Sequence, residues 1–469
     1  MSSRKSDILS PADSGWRTTL LSNAPLPILL AFAIPIGWAI QSRAFGAYNQ
    51  RIVMLIGFNI ILAVSLQLIN GFSGQFSLGH AGFMAVGAYL AAYPAREFSH
   101  RFHDPGSTLL FFLSLGLAVA IGGGVLWGLF LLLRLSRRLH RSLPGILLVV
   151  LLVWIVADFA MAARAPEPAI YYVWTRGIEG LGRLFTVLVV TGGPATAKLS
   201  AMLPGAVQQP LCFLILLAGG GGCAAVVGFI VGLPALRLRG DYLAIATLGL
   251  AEIIRIAIQN SQPLGGALGL TPIPKYTDFP WLFGATIVTI VVIWRVAYSP
   301  KGRAIMAVRE DEIAAASIGL NTTQYKVTAF VIGAFFAGVA GALFALHERS
   351  ITPSYFGIQK SIEIVVMVTL GGLGSISGAI LAAIVLTLLP EVLRNAGDIL
   401  PASVLKLLPT GLRYNLEHVV EYRMIIYSLL LIGMMLLRPQ GLLGGWELWP
   451  RRRGTPRVPV PTQEEPLPA

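Results

Sequence analysis

Charge is scarce in this chain: 12% of its 469 residues are Asp, Glu, Lys or Arg, about half of the roughly 25% found in soluble domains. With 55% hydrophobic residues and a mean hydropathy of +0.74, a soluble globular domain is excluded and an integral membrane protein is indicated. Cysteine is scarcer still. Cys212 and Cys223 are the only two. Lying on one expected helix, they stand about 16 Å apart at ~1.5 Å per residue, so they read as small packing residues and not as a disulfide. The chain also lacks the usual chemical motifs. No His-Glu-x-x-His pattern occurs, and His100 and His103 fall in a short loop without further ligands at metal-binding spacing. Gly71-Phe72-Ser73-Gly74 lacks the histidine and acid partners of a nucleophile elbow. Neither Gly219 to Gly222 nor Gly371 to Gly374 leads into the lysine of a phosphate loop. Catalysis, nucleotide hydrolysis, a metal and a bound cofactor are therefore not expected of this chain.

What is abundant is apolar sequence. A hydrocarbon core of about 30 Å needs about 20 apolar residues per helix, and spans are expected at 24 to 41, 52 to 69, 76 to 93, 108 to 133, 145 to 163, 211 to 233, 242 to 259, 281 to 298, 327 to 346 and 424 to 437. The stretch 361 to 390 is too long for one span and is interrupted by Gly371, Gly372, Gly374 and Gly378. It reads as two half-helices joined by a glycine-rich bend, a geometry tolerated in a membrane only where protein or a water-filled cavity satisfies the backbone. The expected fold is an all-α polytopic membrane protein of about ten transmembrane helices plus this broken hairpin.

Basic residues set the orientation. Arg4, Lys5 and Arg17, the cluster Arg134 to Arg141, Arg237 and Arg239, the loop 299 to 321, and Arg438 with Arg451 to Arg453 all fall on one side when the spans are threaded from a cytoplasmic start. The parity requires the hairpin to enter and leave on the same side. Lys406, Arg413 and Arg423 then lie outside, interleaved with Glu417 and Glu421. Cytoplasmic anchoring accounts for most of the formal charge of +13, with no need of nucleic acid. Residues 1–23 read as a cytoplasmic tail without a signal-peptide cleavage site, 24–445 as the transmembrane domain with an external insert at 164–209, and 446–469 as a disordered cytoplasmic tail.

The loop at 299–322 concentrates Lys301, Arg303, Arg309, Glu310, Asp311 and Glu312 between two apolar runs. No glycine or proline occurs between Gly302 and Gly319, so Arg303 to Ile318 is expected to form one helix of about 24 Å, rich in alanine and other strong helix formers. From the residues alone, a docking helix and a solvated loop are equally open readings. Within the spans, polar groups are costly and mark function more often than elsewhere, which singles out Asn70, Gln75, Ser77, His80, Asp158, Glu252 and Glu363. Each also has a structural reading: Glu252 can pair with Arg255, and His80 can bond to backbone at a helix start. Leu78-Gly79 leading to Gly87, and Leu370-Gly371 leading to Gly378, form a faint echo that fits either a repeat architecture or coincidence in a glycine-rich chain.

Four ordered stretches carry a resemblance. Ser299-Pro300-Lys301-Gly302-Arg303-Ala304 through Ala307-Val308-Arg309-Glu310-Asp311-Glu312-Ile313-Ala314-Ala315 to Ile318-Gly319-Leu320-Asn321 is similar to the cytoplasmic coupling loop of branched-chain amino acid ABC transporter permeases of the LivM type. Asn70-Gly71-Phe72-Ser73-Gly74-Gln75, Gly232-Leu233-Pro234-Ala235-Leu236-Arg237-Leu238-Arg239-Gly240-Asp241 and Arg438-Pro439-Gln440-Gly441-Leu442 resemble further motifs of that family. The resemblance implies the permease subunit of an ATP-driven importer in the bacterial inner membrane, both termini cytoplasmic. Its partners would be a LivH-type second permease, two ATPase subunits and an external substrate-binding protein. Arg303, Arg309, Glu310, Asp311, Glu312, Ala314, Ala315 and Gly319 would form the ATPase coupling loop; Asn70, Gln75, Ser77, His80, Glu252 and Glu363 are the pathway candidates. One departure stands out, since the glutamate of the general importer loop pattern is replaced by Ile313. A urea or short-amide permease of the same family, and an ion-coupled secondary transporter, are the alternatives.

Overall fold

The computed structural model describes residues 46–101, 205–238, 240–394 and scattered positions between 428 and 447. The spans expected at 24 to 41, 108 to 133 and 145 to 163, Asp158, His103, the N-terminal tail, residues 164–204 of the insert and residues 448–469 of the C-terminal tail lie outside the described residues. The chain forms α1 (Ala47–Leu66), which runs into a π-helical turn Gln67–Phe72, then α2 (His80–Arg101), α3 (Gly205–Ala235), α4 (Asp241–Gln259) and α5 (Phe279–Ala297). It continues through α6 (Pro300–Glu310), α7 (Glu312–Ser317), α8 (Thr322–Glu348), α9 (Ile358–Gly371) and α10 (Ile376–Arg394). Among the described residues the only β pairing is an isolated bridge between Leu270 and Ile351.

Among the described residues, four helical stretches are long and apolar enough to cross a membrane: Tyr48–Phe72, Leu216–Ala235, Phe279–Ala297 and Thr322–Glu348. The expected spans 76 to 93 and 242 to 259 are helices α2 and α4, outside that group of four; α4 carries Asp241, Glu252 and Arg255 along its length. The stretch 361 to 390 is the half-helix pair α9 and α10, broken at Gly372–Ser375. The arms of this hairpin lie side by side, and Asn59 of α1 holds both, donating to Thr387 Oγ1 at 2.8 Å and accepting from Lys360 Nζ at 3.0 Å.

Helix α8 is the central post, buried almost without interruption from Ala329 to Leu346. Its neighbours approach it at backbone distance, and glycine makes this possible. A Cβ on Gly87 of α2 would collide with the Gly338 carbonyl, one on Gly341 with the Met84 carbonyl, and one on Gly220 of α3 would lie 2.9 Å from the Gly87 carbonyl. The small residues Gly333, Ala337 and Gly341 thus serve as a packing seam. Phe83 closes edge-to-face on Phe330 beside it, ring centroids 5.5 Å apart.

The segment 303 to 318 departs from expectation: two helices replace one. Asp311 is extended (φ −152°, ψ 113°) and its carboxylate accepts from the backbone N–H groups of Ile313 and Ala314 at 2.8 and 3.0 Å. An aspartate that bonds its own downstream backbone ends one helix and caps the next. Ser299 caps α6 in the same way at Gly302, and Asn321 caps α8 at Gln324.

Replacing Gly341 by leucine should remove the α2–α8 seam, costing about 3 kcal/mol or more because backbone atoms cannot yield. We expect loss of the monodisperse peak in detergent size-exclusion and a fall in thermal midpoint. Gly284→Ala, where a Cβ would meet nothing within 4 Å, should leave both unchanged.

Candidate functional site

Two breaks in helical backbone define the site. At the first, the π turn ends at Ser73, whose hydroxyl donates to the Ile69 carbonyl at 2.7 Å, and Gly74 takes φ +67°. The chain then runs extended to His80. Asn70 Oδ1 accepts from Ser77 N–H at 3.1 Å, the Leu78 N–H donates to Thr247 Oγ1 of α4 at 3.1 Å, and the Ala81 N–H donates to Ser361 Oγ of α9 at 3.3 Å. His80 Nε2 lies 2.8 Å from Ser65 Oγ. That hydroxyl also donates to the Leu62 carbonyl, and His80 Nδ1 is buried without a partner among the described residues. Both amide atoms of Gln75 are buried and unpaired in the same sense.

The second break, between α9 and α10, uses Gly372 and Gly374 at φ +106° and +92°, a region open chiefly to glycine. Ser375 Oγ caps α10 by accepting from Gly378 N–H at 3.0 Å. Glu447 completes that cap, accepting from Ile376 N–H at 2.7 Å and from Ser377 Oγ at 2.7 Å.

The two breaks touch. Gln67 Nε2 donates to the carbonyls of Gly372 and Ser375 at 2.8 and 3.1 Å, and a Cβ on Gly71 would lie 2.7 Å from the Gly374 nitrogen. Onto this junction comes Arg309 from the last turn of α6. Its Nη1 donates to the Gly71 carbonyl, its Cγ would be 2.7 Å from a Cβ on Gly74, and Nη1 would be 3.2 Å from one on Gly374. The charged loop is therefore latched by one guanidinium to the place where both broken helices meet.

The remaining loop residues divide between inward and outward roles. Glu312 pairs with Lys326 of α8 at 2.8 Å, Ala315 is buried, and Gly319 ends α7 at φ +88°. Arg303, Glu310 and Ala314 are exposed. Ile313 and Ile318 are 73% and 76% exposed, large apolar groups standing free on the loop surface. Of the candidate pathway residues, Asn70, Gln75, Ser77 and His80 gather at the first break. Glu252 lies apart, bonded to Arg255 one turn on, and Glu363 pairs with Lys360 at 3.1 Å beside α1. Sequence reasoning passed over Asn59, Gln67, Lys360 and Glu447. Only Lys360 carried a signal, a cation within four residues of Glu363 at the start of an apolar run.

The sequence pattern of the family described as "Branched-chain amino acid transport system / permease component" matches residues 50–167 and 177–436. Among curated relatives, the high-affinity branched-chain amino acid transport system permease protein LivM of Escherichia coli K12 is 37% identical over 255 residues, 47% of this chain and 55% of the relative. The probable LivM of Methanocaldococcus jannaschii is 25% identical over 244 residues, covering 47% and 66% of the two chains. LivH of Salmonella typhimurium is 30% identical over 208 residues, covering 40% and 60%. The chain spans about half the length of the first of these relatives. No solved structure matches it. With the pattern running through most of its length, the chain belongs to the branched-chain amino acid transport system permease component family, as a LivM-type member.

Proposed function

We propose that this chain is the permease subunit of an ATP-driven importer moving branched-chain or related amino acids across the bacterial inner membrane, with the α6–α7 loop and both termini on the cytoplasmic side. It would work with a LivH-type second permease, two ATPase subunits bound at the loop, and an external substrate-binding protein. The observation that carries this reading is the Arg309 latch. A charged loop merely standing in water has no need of a guanidinium on a glycine-lined carbonyl, whereas a loop that passes force inward does. On its outer surface α7 offers Ile313 and Ile318, so the position where the general pattern carries glutamate makes an apolar contact instead. Burying an isoleucine contributes about 1.5–3 kcal/mol, comparable to a charged contact in a groove.

The reading is tested by reconstituting the full complex in proteoliposomes and measuring leucine, isoleucine and valine uptake with ATP enclosed in the lumen and the binding protein and amino acid outside. Uptake that depends on ATP is the expected result; an assembled, ATP-hydrolysing complex that moves none of them would overturn it. Attachment and coupling should separate by residue. Ile313→Asp with Ile318→Asp should release the ATPase subunits on affinity purification while the permease keeps its thermal midpoint, both side chains being exposed. Arg309→Ala should keep the ATPases bound but lower amino acid moved per ATP about tenfold, because a charge-assisted hydrogen bond of about 1.5–3 kcal/mol is lost from the link.

A further inference from the structure

A cavity of about 300 Å³ lies at the end of α8 remote from the loop, walled by α1, α2, α8 and the start of α9. Its volume is at the lower end of the range of about 300–1,000 Å³ for small-molecule sites. The lining is two-sided. Leu55, Phe58 and Phe344 form an apolar wall, while Asn59, Lys360 and Glu363 form a polar one. Lys360 Nζ donates to Asn59 Oδ1 at 3.0 Å and to Glu363 Oε2 at 3.1 Å. Asn59 is fixed in that orientation because its Nδ2 donates to Thr387 Oγ1, whose own proton goes to the Ala383 carbonyl. Two of the three ammonium protons are thereby used and one is left for a ligand.

A lysine–glutamate pair three residues apart on a helix is ordinarily a solvated surface pair. Here the position argues otherwise. Asn59 lies two turns along α1 from Arg51, which pairs with Glu348 at the rim, so the Lys360 ammonium sits about 12 Å further in by helix rise. The two side chains keep exposures of 21% and 41% and open onto the cavity, and ionisable groups inside a membrane helix bundle are rare and mark ligand paths. One cation and one anion side by side, facing an apolar wall in a small cavity, match a small zwitterion with an aliphatic tail. A neutral amide has no charges for the pair to read, and a fatty acid lacks the ammonium.

Building on the permease reading above, we infer that this cavity holds the amino acid during translocation, with Lys360 binding its carboxylate, Glu363 its ammonium, and Leu55, Phe58 and Phe344 its aliphatic side chain. The test uses the reconstituted complex with its binding protein, measuring radiolabelled leucine uptake and ATP hydrolysis in parallel. Lys360→Gln and Glu363→Gln should each lower uptake about tenfold or more, while Lys360→Arg keeps a measurable part. The decisive variant is the swap Lys360→Glu with Glu363→Lys, which preserves an ion pair on α9 but exchanges the charges offered to the ligand. It should still assemble as a folded, monodisperse complex, its thermal midpoint lowered only by loss of the Asn59–Lys360 bond, and fail to import. Wild-type uptake in the swap, or in Lys360→Gln, overturns the inference and leaves the permease reading intact. A wild-type complex that imports no amino acid defeats the permease reading, and this inference with it.

Discussion

Backbone that leaves helical geometry inside an apolar bundle must find its hydrogen-bond partners within the chain, and here one junction serves two such departures at once. The carbonyls of Gly372 and Ser375 are taken by the Gln67 amide, and the carbonyl of Gly71 by Arg309. Neither break is satisfied by its own segment alone. Each depends on a side chain from elsewhere, so the hairpin, the end of α1 and the loop form one mechanical unit. The glycines follow from that: Gly71, Gly74 and Gly374 carry no side chain because a neighbouring segment occupies the space where one would stand. The central post α8 supplies the fixed frame, its Gly338 and Gly341 locking α2 and α3 at backbone contact.

The broken hairpin was legible because four glycines interrupt an apolar run too long for one span, and the α8 seam because small residues recur every four positions. The break at Asp311 was not. Its surroundings are good helix formers, and the aspartate ends α6 only because its carboxylate turns onto the next two backbone N–H groups. Arg309 was legible as a loop charge but not as a latch, since the carbonyl it binds lies on a segment remote in sequence. Glu447 and Gln67 were silent for the same reason: a cap or bracket supplied from far along the chain has no local periodicity. The pairing of Glu252 with Arg255 was legible from their spacing and is present, whereas the partner of Glu363, Lys360 on the same helix, was passed over. What separates them is the cavity beside Glu363, a property of four helices together.

The echo between the two glycine-containing segments takes a physical meaning narrower than a repeat. Both segments lead from a break into a helix, yet their second glycines do different work. Gly87 meets α8 at Gly338, whereas Gly378 packs within its own hairpin against Gly371. Packing need at each site accounts for both glycines without common descent of the segments.

The cavity and the latch are joined by α2. Met84 lines the cavity floor one turn beyond His80, and the start of that helix is held by Ser65, Thr247 and Ser361. The segment 74–79 that leads into this helix is held largely by side chains, Asn70 at Ser77 and Thr247 at Leu78. That segment begins at Gly74, against Arg309. Withdrawing the guanidinium would leave the Gly71 carbonyl a buried acceptor without a donor, a state costing about 1–3 kcal/mol, so displacement of the loop and rearrangement of the first break are favourable only together. The unpaired Gln75 amide and His80 Nδ1 sit on that same segment. Along the chain both lie between Gly74, against Arg309, and Met84, at the cavity.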